Sequence, residues 1–354
     1  MYITIYTTSR GVHNTLRMLC RNNTCSPTDE PPAQNYSSVV STATVTIDDF
    51  PFTWQGYTYI SHIAYVKGGQ PRPLILVWPN YAGEKQFDID QAIFLAKCGY
   101  TAVSVDMYKE TPYENGIVYL KSNRNPLHTE SKEKIVEHFK GAFTAYNWWM
   151  MHPKLWRDFQ TNMLAAARTH PAVHPTFAAA IGYCFGGQCC LEQVRAGDDI
   201  QGIVSFHGVL QNDPMVNNKE PWNRTEGRRR YEMHELPDDS HFNSTCAIVI
   251  ENGILDDHVG VSERQRFAEE MNHHGCKNVQ FHDHYNAEHG FALAPGVISA
   301  KYEEHSDRRS TLTMLTLFQE LWSSDGFHPT VAHDEVNASG TQIGQFWGKT
   351  DSKM

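Results

Sequence analysis

The sequence lacks a long hydrophobic run. Its uninterrupted aliphatic stretches are of strand length, as at residues 74–78, whereas a membrane-spanning helix needs about 18 consecutive apolar residues. We therefore expect no transmembrane segment and no membrane partner. The sequence also has no basic start followed by an apolar segment and a small-residue cleavage site. This favours an intracellular protein, and the predicted location is cytoplasmic.

The sequence also has no excess of positive charge. The 354 residues include 40 acidic and 30 basic side chains, which gives a formal net charge of −10. Such a surface has no general attraction to phosphate backbones, so nucleic acid is not an expected partner. The eight cysteines form no C-x-x-C pair, and 40% of the residues are hydrophobic. A chain of this length can form its core without disulfides, so we interpret the cysteines as mostly reduced thiols.

Composition divides the chain into a domain and two extensions. Residues 1–36 are predicted to be an extension, which is either disordered or a targeting segment that would direct the protein to an organelle, because residues 1–28 contain three arginines and no acid. Residues 37–324 are predicted to form the domain, and 325–354 a C-terminal tail. Within the domain, residues 210–244 show no clear periodicity and are interpreted as an insertion.

The pattern inside the domain is typical of an α/β fold. After two antiparallel strands predicted within residues 38–66, short aliphatic runs alternate with helical stretches, as in a parallel sheet built from β-α-β units. The fold class is therefore α/β, with a mostly parallel central sheet flanked by helices. Aromatic residues in the longest predicted helix are interpreted as core. Strands are predicted at 74–78, 101–107, 177–183, 202–206, 246–251 and 279–284, and helices at 89–97, 132–151, 186–196, 261–275 and 310–322.

The segment around Cys184 carries the clearest chemical signal. An apolar run leads into Gly182-Tyr-Cys184-Phe-Gly-Gly187, and a predicted helix follows. This is the arrangement of a nucleophile elbow with cysteine in place of serine. The glycines let strand and helix approach closely around a strained turn, and the helix dipole favours a thiolate at that position. Cys184 is the predicted nucleophile, although a buried cysteine without a chemical role would give the same motif.

An elbow nucleophile needs a base and an acid that orients the base. In α/β-hydrolases the acid and the histidine follow the nucleophile in that order. Asp256 and Asp257 both lie just past a predicted strand, at the end where open α/β sheets place their sites. His289 lies in a short glycine-containing loop ahead of the last predicted helix. From position alone, either aspartate can serve as the acid, and His289 is the candidate base.

Together these motifs resemble those of the dienelactone hydrolase family, over about residues 38–322. The family's acid and histidine motifs read here Gly253-Ile-Leu-Asp256-Asp-His-Val259 and Glu288-His289-Gly-Phe291. The resemblance implies an α/β-hydrolase fold. It also implies that Cys184 is the nucleophile, His289 the base and Asp256 the orienting acid.

The resemblance extends to the loop after the first buried strand. It implies that the backbone N–H groups of Tyr81 and Phe185 form the oxyanion hole. The chain departs from the family's dienelactone-cleaving members at two positions: Asn80 replaces a glutamate, and Leu293 replaces an arginine that binds the substrate carboxylate. Both residues, together with His207 at the end of another predicted strand, are expected to lie at or behind the substrate site. Dienelactone itself is therefore not the expected substrate.

The predicted function is hydrolysis of a carboxylic ester or lactone through a Cys-His-Asp triad and a thioester acyl-enzyme. The expected partner is the small-molecule substrate, and no cofactor is expected. Two alternatives use the same residues: a binding or regulatory module without turnover, and an acyltransferase. No metal site is expected, because the group formed by His282, His284, Glu288 and His289 lacks a visible complete ligand set. The sequence leaves the natural substrate and the oligomeric state open.

Overall fold

The computed structural model describes residues 44–121, 131–210, 239–297 and 299–327. The predicted extension at 1–36 lies outside these ranges. So do residues 211–238 of the predicted insertion and residues 328–354 of the predicted tail.

The described residues form an eight-stranded sheet with the order β1-β2-β4-β3-β5-β6-β7-β8. The β1–β2 and β2–β4 pairs are antiparallel, and all other neighbours are parallel. This confirms the predicted, mostly parallel sheet that follows two antiparallel strands. The strands are β1 (Val45–Trp54), β2 (Tyr57–Val66), β3 (Arg72–Trp78), β4 (Thr101–Ser104), β5 (Val173–Tyr183), β6 (Gly202–Phe206), β7 (Ala247–Gly253) and β8 (Val279–His284).

Helices cover both faces of the sheet, which explains the continuous apolar runs of its central strands. Residues 74–78 of β3, for example, have no exposed surface, because the side chains on each face of the strand lie beneath a helix. No helix within the described ranges is long and apolar enough to cross a membrane. The helices are α1 (Gln86–Lys97), α2 (Lys132–Met151), α3 (Pro153–Arg168), α4 (Phe185–Ala196), α5 (Val261–His273) and α6 (Glu304–Trp322).

The largest differences from the predicted helices concern α3 and α6. Helix α3 was not predicted, although Trp156, Phe159 and Met163 are buried at helical spacing and Pro153 stands at its first turn. Proline is favourable there because its missing N–H would have no partner in any case. Helix α6 begins at Glu304 rather than at 310. Its first turn is stabilised by the Glu303 carboxylate, which accepts hydrogen bonds from the backbone N–H groups of the next turn.

The topology brings five loops to one edge of the sheet. Strands β3, β5, β6, β7 and β8 run parallel and are neighbours in the sheet, so the loops after their carboxyl ends lie side by side. These loops carry, in the same order, the predicted residues Tyr81, Cys184, His207, Asp256 and His289.

Candidate active site

Cys184 occupies a strained turn between β5 and α4. Its backbone angles are φ 57° and ψ −114°, in a region that non-glycine residues rarely adopt and that marks functional turns. Hydrogen bonds hold the turn on both sides: the N–H of Cys184 donates to the carbonyl of Phe206 at 3.0 Å, and its carbonyl accepts from the N–H of Gly187 at 3.0 Å. The predicted elbow geometry is therefore present.

The glycines around Cys184 are required by close backbone contacts. A Cβ atom on Gly182 would collide with the carbonyl group of Gly186, and one on Gly186 would collide with the carbonyl of Trp78 at the end of β3. The start of α4 thus rests directly on the end of β3. This contact places Cys184 beside the loop that carries Tyr81.

Asp256 and His289 are paired. The Asp256 Oδ2 and His289 Nδ1 atoms are 2.9 Å apart, and since a carboxylate only accepts hydrogen bonds, Nδ1 carries the proton. The opposite ring nitrogen, Nε2, is buried. Burial lowers the pKa of His289, but the negative charges of Cys184 and Asp256 raise it well above its usual value. This electrostatic effect requires that Cys184 and His289 lie close together.

Burial by itself would raise the pKa of Asp256. The charge of His289 and hydrogen bonds from His258 and His289 outweigh this effect and hold the pKa of Asp256 well below its usual range. One of these hydrogen bonds runs from the backbone N–H of His258 to the Asp256 Oδ1 atom, at 2.8 Å. Asp256 is therefore ionised throughout the neutral pH range, as an orienting acid must be.

The geometry separates the two candidate acids. The side chain of Asp257 is 58% exposed, and its Oδ1 atom lies 2.8 Å from His258 Nδ1 rather than near His289. The His258 ring in turn stacks on the His289 ring, with centroids 4.1 Å apart. Sequence reasoning missed His258, although it is the second residue after Asp256 in the acid motif.

Donor atoms of Asp256, His258 and His289 lie within 4.8 Å of one another, so these residues could hold a metal ion. The ion would compete with the Asp256–His289 pair for the same atoms. Two of the histidines weighed from the sequence as metal ligands, His282 and His284, contact Glu251 instead. His282 Nδ1 and His284 Nε2 lie 2.9 and 2.5 Å from the two oxygens of the buried Glu251 carboxylate.

Among the described residues, the loop after β3 leaves the N–H of Tyr81 unpaired while its neighbours Ala82 and Gly83 donate to Asn80. The Asn80 side-chain oxygen accepts from the N–H of Ala82 at 2.8 Å, and the Asn80 carbonyl accepts from the N–H of Gly83 at 3.0 Å. The N–H of Tyr81 makes no hydrogen bond within the described ranges. Phe185 is the first residue of α4, where a backbone N–H has no intrahelical acceptor. These are the two N–H groups expected to form the oxyanion hole.

His207 and Leu293 are both buried. The His207 ring contacts the His289 ring edge to face, at 5.1 Å between centroids, and neither of its nitrogens has a hydrogen-bond partner in the part of the chain described. Burial, followed by the nearby charge of His289, holds the pKa of His207 well below its usual value, so His207 is neutral. Leu293 is 1% exposed and belongs to the core cluster between the sheet, α1 and α6.

Aromatic rings of α2 pack on Tyr81 and Phe185. The Tyr81 ring lies 4.9 Å from Phe143 and 6.4 Å from Phe139, and the Phe185 ring lies 4.9 Å from Tyr146. Phe139, Phe143 and Tyr146 follow one face of α2 and are only half-buried. The aromatics of this helix are expected in the core, and Trp149 is buried there. Phe139 and Phe143 pack against Tyr81, and Tyr146 packs against Phe185.

A mostly parallel sheet with a nucleophile elbow after β5, an aspartate after β7 and a histidine after β8 defines an α/β-hydrolase. Comparison with known families makes the assignment more specific. The model of the dienelactone hydrolase family matches residues 60–322. The chain belongs to this hydrolase family, as its motifs indicated.

Individual relatives are distant. The "Uncharacterized protein K02A2.1" of Caenorhabditis elegans is 27% identical over 170 residues, which cover 45% of this chain and 90% of that protein. Among solved structures, a dienelactone hydrolase-like promiscuous phosphotriesterase from metagenomic libraries has 23% identity and a TM-score of 0.55. A structure named m3DLH has 22% identity and a TM-score of 0.56. Each covers 78% of this chain and 98% of its own. These two likenesses show the fold.

Proposed function

We propose that the protein hydrolyses a carboxylic ester or lactone, with Cys184 as nucleophile, His289 as base and Asp256 as the orienting acid. The observation that carries this proposal is the 2.9 Å Asp256–His289 pair, together with the interaction of His289 with Cys184 that raises the pKa of His289. A nucleophile, a base within its reach and an acid that fixes the base are the components of acyl-transfer chemistry.

The first half of the proposed cycle forms a thioester. The Cys184 thiolate attacks the ester carbonyl carbon, and the carbonyl oxygen becomes an oxyanion that accepts hydrogen bonds from the N–H groups of Tyr81 and Phe185. When the tetrahedral intermediate collapses, the carbon–oxygen bond to the alcohol breaks. Protonated His289 gives its proton to the departing alkoxide.

The second half regenerates the free Cys184 thiolate. Neutral His289 takes a proton from a water molecule as that water attacks the thioester carbonyl. The same two N–H groups stabilise the second oxyanion. Collapse releases the carboxylic acid and returns Cys184 as a thiolate beside protonated His289.

Turnover of a simple p-nitrophenyl ester tests the proposal. We expect repeated hydrolysis with release of the free acid, and a covalent thioester at Cys184 in mass spectra of the acid-quenched enzyme. A binding module would give no turnover. An acyltransferase would give a transfer product in preference to the free acid when a thiol or alcohol acceptor is added.

The two neighbouring aspartates provide a matched pair of variants. In Asp256→Asn, kcat for an ester whose thioester hydrolysis is rate-limiting should fall about a hundredfold, because His289 loses the carboxylate that orients it. The acid limb of the pH profile of kcat should also move. Asp256 raises the pKa of His289, and His289 must be neutral to accept a proton from water, so removing the carboxylate shifts this limb to lower pH.

Asp257→Asn is the control for that measurement, because Asp257 is exposed and contacts His258. Its kcat and pH profile should match those of the wild type. A larger loss of kcat in Asp257→Asn than in Asp256→Asn would show that Asp257, and not Asp256, orients His289.

The buried Leu293 predicts a preference for neutral substrates. A substrate carboxylate finds no arginine at this position, and loses a charge-assisted hydrogen bond worth about 1.5 to 3 kcal/mol. We therefore expect a neutral methyl ester to be hydrolysed at least as fast, in kcat/KM, as the matching substrate with a free carboxylate. A strong preference for the carboxylate would show that another cationic group takes the place of that arginine.

A further inference from the structure

A second loop supports the loop that carries Tyr81. Residues 105–121 follow β4, and two of their tyrosines donate hydrogen bonds to backbone carbonyls beneath the site. The Tyr108 hydroxyl donates to the Tyr81 carbonyl at 3.0 Å, and the Tyr119 hydroxyl donates to the Ala82 carbonyl at 3.1 Å. Both tyrosines are almost completely buried. We refer to Tyr108 and Tyr119 as the tyrosine clamp.

Lys85 fixes the direction of one of these hydroxyl groups. The Lys85 Nζ atom donates to the carbonyls of Ala82 and Glu84 at 2.9 and 3.2 Å, and to the Tyr119 hydroxyl at 2.8 Å. All three ammonium hydrogens therefore have an acceptor. Burial lowers the pKa of Lys85 to about 8. Because the Tyr119 oxygen accepts from Lys85, its own proton points to the Ala82 carbonyl.

Hydrogen bonds therefore hold three successive backbone carbonyls, those of Asn80, Tyr81 and Ala82. The Asn80 carbonyl accepts from Gly83 N–H, and the next two carbonyls accept from the tyrosine clamp. In a trans peptide the C=O and N–H groups point in opposite directions, and the unit is rigid. Fixing these planes leaves the N–H of Tyr81 pointing away from the carbonyl of Asn80, without a partner in the described structure.

There is no free space between the clamp and the loop. Gly83 adopts φ +79°, and a Cβ atom at this position would lie 2.6 Å from the Tyr119 hydroxyl and 2.8 Å from the Tyr108 ring. Contacts this short do not occur for real side chains. The two tyrosine rings therefore pack directly on the loop backbone and prevent it from moving towards the core.

Buried charges join the two loops a second time. The Lys121 Nζ atom lies 2.9 Å from the Glu84 carboxylate and 3.0 Å from the Asp106 carboxylate, and both carboxylates are buried. One cation therefore connects the loop after β3 to both ends of the loop after β4. A paired, hydrogen-bonded network of this kind favours one loop conformation.

We propose that Tyr108 and Tyr119 are positioning residues that aim the Tyr81 N–H at the oxyanion. This inference rests on the proposed function, because it presupposes that Tyr81 stabilises the tetrahedral intermediate. A donor helps catalysis in proportion to how well it is oriented before charge develops. Loss of the clamp should therefore raise the free energy of the transition state. The binding of the ground-state ester and the reactivity of Cys184 should stay unchanged.

The test compares three conservative variants: Tyr108→Phe, Tyr119→Phe and, as control, Tyr113→Phe. Tyr113 is a buried tyrosine of the same loop, and its hydroxyl accepts from the N–H of Lys109 instead of donating to the loop after β3. Each variant is assayed for kcat and KM on p-nitrophenyl acetate and for the rate of Cys184 alkylation by iodoacetamide. Alkylation uses the thiolate but forms no oxyanion.

We expect kcat to fall about tenfold in each clamp variant and about a hundredfold in the double variant. KM and the alkylation rate should stay within about twofold of wild type, and Tyr113→Phe should behave as wild type in all three measurements. Gly83→Ala provides a second test that keeps both hydroxyls but displaces the loop, and it should show the same selective loss of kcat.

Unchanged kcat in both clamp variants, with an active wild type, would overturn this inference and leave the proposed function intact. Alkylation that slows in parallel with kcat would also overturn it, because the clamp would then act on the elbow or on folding. A wild type that alkylates at Cys184 but does not turn over esters would overturn both.

Discussion

Replacing Cys184 by alanine is expected to lower kcat/KM for a p-nitrophenyl ester by about four orders of magnitude or more, since loss of the nucleophile removes the covalent route entirely. The folded structure should persist, because the side chain is small and only partly buried. Cys190→Ala is the matched control: it removes a thiol from α4, the helix that follows Cys184, where Cys190 is fully buried, and it should retain activity. Hydrolysis that survives in Cys184→Ala would rule out the thioester mechanism.

The same assignment can be tested without mutation. Iodoacetamide should alkylate Cys184 before the other cysteines, and activity should be lost in step with this single modification. Burial raises the pKa of Cys98 to about 12, and it also raises the pKa values of Cys246 and the half-buried Cys276. Peptide mapping after partial inactivation identifies the modified residue. Faster labelling of Cys276 would contradict the assignment.

The second large effect is expected at His289. His289→Ala should lower kcat/KM by about three orders of magnitude or more, because the thiol loses its proton acceptor and the water that cleaves the thioester loses its base. Asn80→Ala should lower kcat/KM only about tenfold to a hundredfold, as expected for the loss of one hydrogen bond. Assays of both variants on one ester, together with thermal unfolding, give the comparison.

The reason for the difference is the role of the Asn80 side chain. A carboxamide cannot exchange a proton with a thiol as a carboxylate can. In the structure the Asn80 amide oxygen accepts from the N–H of Ala82, so its effect on the reaction passes through the conformation of the loop. Equal losses in His289→Ala and Asn80→Ala would show that Asn80 takes part in proton transfer and that this account is wrong.

Much of the fold could be predicted because its signals are local. The continuous apolar run at residues 74–78 predicted a central strand, and the glycines around Cys184 predicted the elbow with its helix. Helix α3 shows the limit of this reasoning. Its buried residues have helical spacing, but the proline at its start was read as the end of α2 rather than as the first turn of a new helix. A proline at this position is compatible both with the end of one helix and with the start of the next. The packing of α3 on α4 and on the sheet decides between these two possibilities.

The sequence by itself determined the parallel sheet, the elbow and the order of nucleophile, acid and base, since spacing and residue type specify these locally. Only the tertiary structure separated Asp256 from Asp257 by geometry and stacked the His258 ring on the His289 ring. Only the tertiary structure packed Phe139, Phe143 and Tyr146 of α2 against Tyr81 and Phe185. It alone joined Tyr108 and Tyr119 to backbone groups 27 and 37 residues away. Such contacts link side chains to distant carbonyls, and a carbonyl has no sequence signal because every residue carries one.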